Sequence, residues 1–268
     1  MVKCMGTKNN NVSFGISGSR LGFGGTSFGC SRGPNDSYSM DFYNPLRMQG
    51  FSISKGINEK RDTDMSFAIA LTSEDGIYLA ADKRITLDNG LYNDNYQKIA
   101  VIPGTNFAVV STGHHPTKNT TISNIIENIK SKNITEIMEE LEKCTGEAMK
   151  SRKDWYTSFL VCESLRTDDQ VIRNQISQLH LSKNNPPHKS PIFDLESFMM
   201  HSLGETWASG IISGFNRYDI PKDNPKMFLN SLFESVIKIS QECTNAKSIG
   251  GGISILHLTP DGPQWIQK

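Results

Sequence analysis

The chain has 268 residues, 37% hydrophobic and 21% charged, enough apolar material for one large core or two small ones. Its 28 basic and 28 acidic side chains cancel, which argues against a polyanionic partner such as nucleic acid. Five scattered cysteines (Cys4, Cys30, Cys144, Cys162, Cys243) with no Cys-x-x-Cys pair argue against a zinc or iron–sulfur centre and against a disulfide framework, and fit a reducing, cytoplasmic setting.

From Met1 to about Arg61 the chain is rich in Gly, Ser and Asn and lacks hydrophobic periodicity. With little apolar surface to offset the entropy of ordering, residues 1–65 read as a disordered leader or pro-segment. The cluster Gly22-Phe23-Gly24-Gly25 follows no strand and opens no helix, so it does not read as a phosphate-binding loop. Met1-Val2-Lys3 lacks the apolar stretch of a signal peptide, and no apolar run is long enough to span a membrane.

The pattern changes after Asp64. Ser66–Leu71 and Ile77–Ala81 are apolar runs joined by Glu74-Asp75-Gly76, the signature of a β-hairpin. The second run shows no polar alternation before Asp82, as in a strand covered on both faces. Further strands are predicted at Lys98–Ile102 and Phe107–Thr112. Isoleucines 122, 125, 126 and 129 then share one helical face, and a second helix is predicted over Ile134–Met149 with its acids outward. Ser158–Cys162 and Val171–Leu179 read as strands, followed by a loop at Pro186-Pro187. Helices are predicted at about 203–215 and 226–244, and closing strands at Gly252–Leu258 and Pro263–Ile266 around an Asp261-Gly262 turn. Strands, two helices, strands, two helices and strands again fit an α+β layered fold rather than an alternating βαβ sheet. Two antiparallel sheets flanked on their outer sides by helix pairs would satisfy that order.

Three polar residues stand where apolar strands begin or end: Ser66, Asp82 and Lys98. Each has a bland role available, as a cap, a turn acceptor and a strand-edge charge respectively. Together, Asp75-Gly76-Ile77-Tyr78-Leu79-Ala80-Ala81-Asp82-Lys83-Arg84 and the later Lys98 resemble the proteasome β-subunit family of N-terminal-nucleophile hydrolases. In that family the nucleophile is the first residue of the mature chain, and the family's spacing from Asp82 lands on Ser66 backward and on Lys98 forward. The resemblance continues through Phe107–Gly113, Gly204–Gly214 and Ser248-Ile249-Gly250-Gly251-Gly252, and is weaker between about 114 and 200.

The resemblance implies a four-layer αββα sandwich over residues 66–268 and a peptidase that needs no cofactor or metal. It also implies assembly into rings with itself or related subunits, an ATP-dependent unfoldase as partner, and peptides or unfolded proteins as substrate. In this reading Ser66 is the nucleophile and its own α-amino group the base, because a free hydroxyl attacks poorly without one. Lys98 lowers the pKa of both groups, Asp82 holds Lys98, the N–H at Thr112-Gly113 receives the oxyanion, and Ser248 orients the amine. Arg84 reads as structural.

The chain departs from the family in four places: Ser66 replaces the usual Thr, Asn245 stands where the family has Asp, one extra residue falls around Ile249, and Met65 replaces the Gly that precedes the nucleophile. Ser66 would become N-terminal either by translation from Met65 and removal of that methionine, or by self-cleavage of the leader. Two other functions fit the same residues: a catalytically inactive structural subunit, and an amidase of the same class acting on a small acyl amide. His114-His115 could line a substrate site, whereas His180, His188, His201 and His257 show no metal-ligand spacing.

Overall fold

The computed structural model describes residues 11–17, 28–32, 38–42, 50–56, 66–87, 91–114, 122–204, 206–213, 220–243 and 248–268. The chain divides into two units, Met1–Thr63 with Thr206–Asp219, and Asp64–Glu205 with Ile220–Lys268.

In the first unit, strands β1 (Asn11–Ser17), β2 (Phe28–Arg32), β3 (Tyr38–Phe42) and β4 (Gly50–Gly56) pair antiparallel in the order β1-β4-β3-β2. Helix α3 (Thr206–Ser213) belongs to the same unit. The cluster at Gly22–Gly25 lies outside the described residues.

The second unit begins with the hairpin read from the sequence, β5 (Phe67–Ser73) and β6 (Gly76–Asp82), closed by the Asp75-Gly76 turn. A short ribbon follows, β7 (Ile85–Thr86) with β8 (Tyr92–Asn93), and then β9 (Ile99–Val101) and β10 (Phe107–Gly113). Helices α1 (Ile122–Ile126) and α2 (Ile134–Ala148) come next. At the start of α2, the Asn133 side chain accepts hydrogen bonds from the N–H groups of Thr135 and Glu136 at 2.9 and 3.4 Å. These bonds satisfy two donors that the first helical turn cannot pair internally. Strands β11 (Tyr156–Arg166) and β12 (Ile172–Ser182) form an 11-residue-long hairpin, and β13 (His188–Lys189) and β14 (Phe193–Leu195) both pair with β12. Strand β15 (Met200–Gly204), helix α4 (Pro225–Cys243), β16 (Ile253–Thr259) and β17 (Gly262–Gln267) complete the unit.

These strands build two antiparallel sheets, one ordered β15-β5-β6-β16-β17 and the other β13-β12-β11-β10-β9. Side chains two apart on a strand share a face. Ala68, Ala70, Leu79 and Ala81 of the first sheet thus meet Ala108, Val110, Leu160 and Cys162 of the second in one buried cluster. The other face of the second sheet, with Val109, Phe159, Val161 and Leu179, packs on Ile125, Ile126, Ile137 and Leu141 of α1 and α2. Each such side chain removed from water contributes roughly 1.5–3 kcal/mol. Helix α4 begins with Pro225, whose missing N–H costs nothing at that position, and packs against β6 and β16. The Phe233 ring of α4 lies 5.1 Å from the ring of Phe67 on β5.

Two expectations change. The helix read from about residue 203 begins at Thr206, and Met200–Gly204 is instead β15, paired residue by residue with β5 from Met200↔Leu71 to Gly204↔Phe67. The backbone groups on the open edge of β5 need partners, and this tertiary demand outweighs a local pattern too short to separate strand from helix. The short strands β7, β8, β13 and β14 carry no periodicity in the sequence, and they exist because neighbouring strands offer a ladder. No helix among the described residues is long and apolar enough to cross a membrane.

Candidate active site

Asp82 is the last residue of β6 and Lys98 immediately precedes β9, so the pair joins the end of one sheet to the beginning of a strand in the other. Both side chains are fully buried, with Lys98 Nζ 2.7 Å from Asp82 Oδ1. The same oxygen accepts the backbone N–H of Phe67 at 2.9 Å, and Oδ2 accepts those of Gly250 and Arg84 at 3.1 and 3.2 Å. Four donors thus converge on one carboxylate. Burial pulls Lys98 below the ordinary lysine range, against the opposing charge of Asp82. Burial likewise pushes Asp82 up, opposed by Lys98 and by the N–H groups of Phe67 and Gly250. A proton on Asp82 would displace one of its donors, so the ionic form is the one this arrangement accommodates. Asp82 also accepts from Arg84 across the following turn, so the turn-acceptor role and the charge-pairing role coexist.

Ser66 enters this constellation through its peptide bond. It is buried, at 3% exposure, and the N–H of the next residue is the one that Asp82 accepts. On the other side Gly204 approaches so closely that a Cβ there would sit 1.7 Å from the Ser66 carbonyl oxygen. Gly204 has φ +111, a left-handed conformation that side chains other than hydrogen disfavour. The first sheet thus positions Ser66 between β6 and β15. Met65 lies outside the described residues.

Ser248 is buried and lies two residues before Gly250, whose N–H reaches Asp82. The carbonyls of Gly250 and Gly252 both accept the N–H of Lys83, at 3.0 and 3.2 Å, which ties this glycine turn to the end of β6. Gly113 ends β10 with φ +92. Two residues earlier the Ser111 N–H donates to the Lys98 carbonyl at 3.0 Å. By strand alternation the Gly113 N–H lies on that same edge of β10, beyond the last residue paired with β9. Asn245 lies outside the described residues.

Arg84 donates to Asp94 through Nε at 2.6 Å and Nη2 at 2.8 Å and stacks over the Tyr92 ring at 4.6 Å. The structural role read for Arg84 is therefore present, but its partner Asp94 carries no sequence signal, since it lies in a polar stretch between two short strands. Gly204 was equally silent as a site residue. A glycine ending an apolar strand has many uses, and only the pairing of β15 with β5 reveals this one.

His114 lies against Tyr156, accepting that residue's N–H through Nδ1 at 3.2 Å with the two rings edge to face, whereas His115 lies outside the described residues. His180 and His188 sit opposite each other on β12 and β13 with ring centres 5.9 Å apart, and His180 Nδ1 is 2.6 Å from Ser158 Oγ. Among the described residues no three His, Cys, Asp or Glu side chains gather in a way that could hold a metal ion.

No family model matches this chain. No curated protein matches it either. Among solved structures the chain is similar to Anbu (ancestral beta-subunit) from Yersinia bercovieri, with 13% identity and a TM-score of 0.49 over 75% of this chain and 87% of that chain.

Proposed function

We propose that residues 66–268 are a four-layer αββα N-terminal-nucleophile hydrolase that cleaves peptide bonds with Ser66, in the manner of a proteasome subunit. One observation carries the reading: a fully buried Lys98–Asp82 pair is hydrogen-bonded to the peptide N–H that directly follows Ser66. A buried ammonium is costly to desolvate, and one tied through Asp82 to the amide that follows Ser66 suits a reaction that develops negative charge at that serine.

The reaction requires a free α-amino group on Ser66, obtained by removing Met65 or by cleaving the Met65–Ser66 bond. The amine takes the Ser66 hydroxyl proton as Oγ attacks the scissile carbonyl, and the Gly113 N–H receives the developing oxyanion. The C–N bond then breaks, the proton passes to the departing amine, and an acyl ester remains on Oγ. Water next attacks the ester and gives a proton to the α-amine. The ester C–O bond breaks, the carboxylic product leaves, and Oγ regains its proton. Lys98 supplies positive charge throughout, Asp82 fixes its position, and Ser248 orients the amine. Assembly into a ring with itself or related subunits, fed by an ATP-dependent unfoldase, would confine this chemistry to unfolded chains.

A second reading, a catalytically inactive structural subunit, is favoured by the burial of Ser66 at 3% exposure. Intact mass and N-terminal sequencing of the purified chain, followed by a hydroxyl-directed β-lactone, decide between the two. The hydrolase reading expects a chain beginning at Ser66 and a single β-lactone adduct that Ser66→Ala abolishes. An intact Met65–Ser66 bond, or labelling that survives Ser66→Ala, sinks it.

A further inference from the structure

The Arg84 guanidinium is held on three sides. Asp94 takes its edge with two hydrogen bonds, the Tyr92 ring covers one face at 4.6 Å, and Gly250 closes in so tightly that a Cβ there would lie 2.6 Å from Arg84 Cζ. Gly251 lies equally close to Asp94, where a Cβ would meet the backbone carbonyl oxygen at 2.6 Å. The Arg84–Asp94 unit is therefore the floor on which the Gly250–Gly252 turn rests. That turn donates the Gly250 N–H to Asp82, whose other oxygen holds Lys98 and the amide after Ser66.

We propose that Asp94 and Arg84 are positioning residues that seat the Gly250–Gly252 turn against Asp82 and thereby set the aim of Lys98 at Ser66. The proposal rests on the hydrolase reading above. Its physical content is mechanical and electrostatic together. A planar, bidentate guanidinium–carboxylate pair fixes two angles that a single hydrogen bond leaves free. Arg84 is nearly covered, with 12% of its side chain exposed, whereas Asp94 is 45% exposed, so the ion pair is anchored from the buried side. The Arg84 fork holds the Asp94 carboxyl below the usual carboxylate range, which keeps the floor charged under ordinary conditions. The charged groups around Lys98 are Asp82, which raises its proton affinity, Arg84, which lowers it, and Asp94, which raises it.

The test is the rate at which the protein as purified, its chain beginning at Ser66, is acylated on that residue by a β-lactone, resolved into a maximal rate and a half-saturating concentration. Asp94→Asn is expected to lower the maximal rate about tenfold, the worth of one charge-assisted hydrogen bond, with the half-saturating concentration unchanged. The alkaline limb of the pH profile should move to lower pH, because a charge that favours protonated Lys98 is gone. Asp94→Glu should restore most of the rate, while Arg84→Lys, which keeps the charge and loses the fork, should not. A wild-type rate and pH profile in Asp94→Asn overturns the proposal, as does slow labelling that Asp94→Glu fails to recover. If the wild-type chain itself forms no Ser66-dependent adduct, the hydrolase reading fails first.

Discussion

Replacing Lys98 with methionine removes one charge and keeps most of the side-chain volume, which isolates the electrostatic part of the buried pair. With Nζ and Oδ1 2.7 Å apart and both side chains without solvent exposure, the direct attraction is roughly 6 kcal/mol at an effective dielectric of about 20. Much of that offsets the cost of taking two ions out of water, so the pair need not add net stability over an apolar one. Removing one partner is different, because Asp82 keeps the cost of burial and loses its cation. Lys98→Met should therefore lower the unfolding free energy at pH 7 by about 3–5 kcal/mol, measured by urea denaturation. Without Lys98 the folded-state pKa of Asp82 lies above its unfolded value. The penalty is then fully present above that raised pKa and relieved as pH falls through it, so the variant should close its gap to wild type on acidification. Asp82→Asn with Lys98→Met should be more stable than Lys98→Met alone, since no charge is left stranded. A loss below about 1 kcal/mol at pH 7, or one that grows toward low pH, would refute the reasoning.

Gly204→Ala would place a Cβ 1.7 Å from the Ser66 carbonyl oxygen at φ +111, so β15 must shift away from β5. A loss of about 1–3 kcal/mol and slower β-lactone labelling are expected, and wild-type values for both would contradict the close approach. His180, His201 and His257 are all held below the ordinary histidine range, chiefly by burial. Below about pH 6.5 the unfolded chain takes up these protons before the folded one does, so stability should fall as pH drops. Melting temperatures from pH 7.5 to 5 should show that decline, and His257→Gln should flatten it.

The paired sheets could be read locally because their signals are local. Phe67–Ser73 and Gly76–Asp82 announce themselves by apolar runs around Asp75-Gly76, and the isoleucine faces of α1 and α2 by helical spacing. Ser66, Asp82 and Lys98 stood out because polar residues at the ends of apolar strands are conspicuous. What they touch was not legible: Asp82 could have ended its strand in solvent, and only the apposition of β6 and β9 from different sheets buries it against Lys98. Strand β15, Gly204 and the Arg84–Asp94 floor were silent for the same reason. Each is defined by a partner far along the chain, the edge of β5, the Ser66 carbonyl and the Gly250–Gly252 turn. Hydrophobic periodicity records which faces a segment must bury, and the sequence determined those faces. It records nothing about which distant backbone group fills a left-handed glycine or a carboxylate's fourth lone pair, and only the packed tertiary structure decided that.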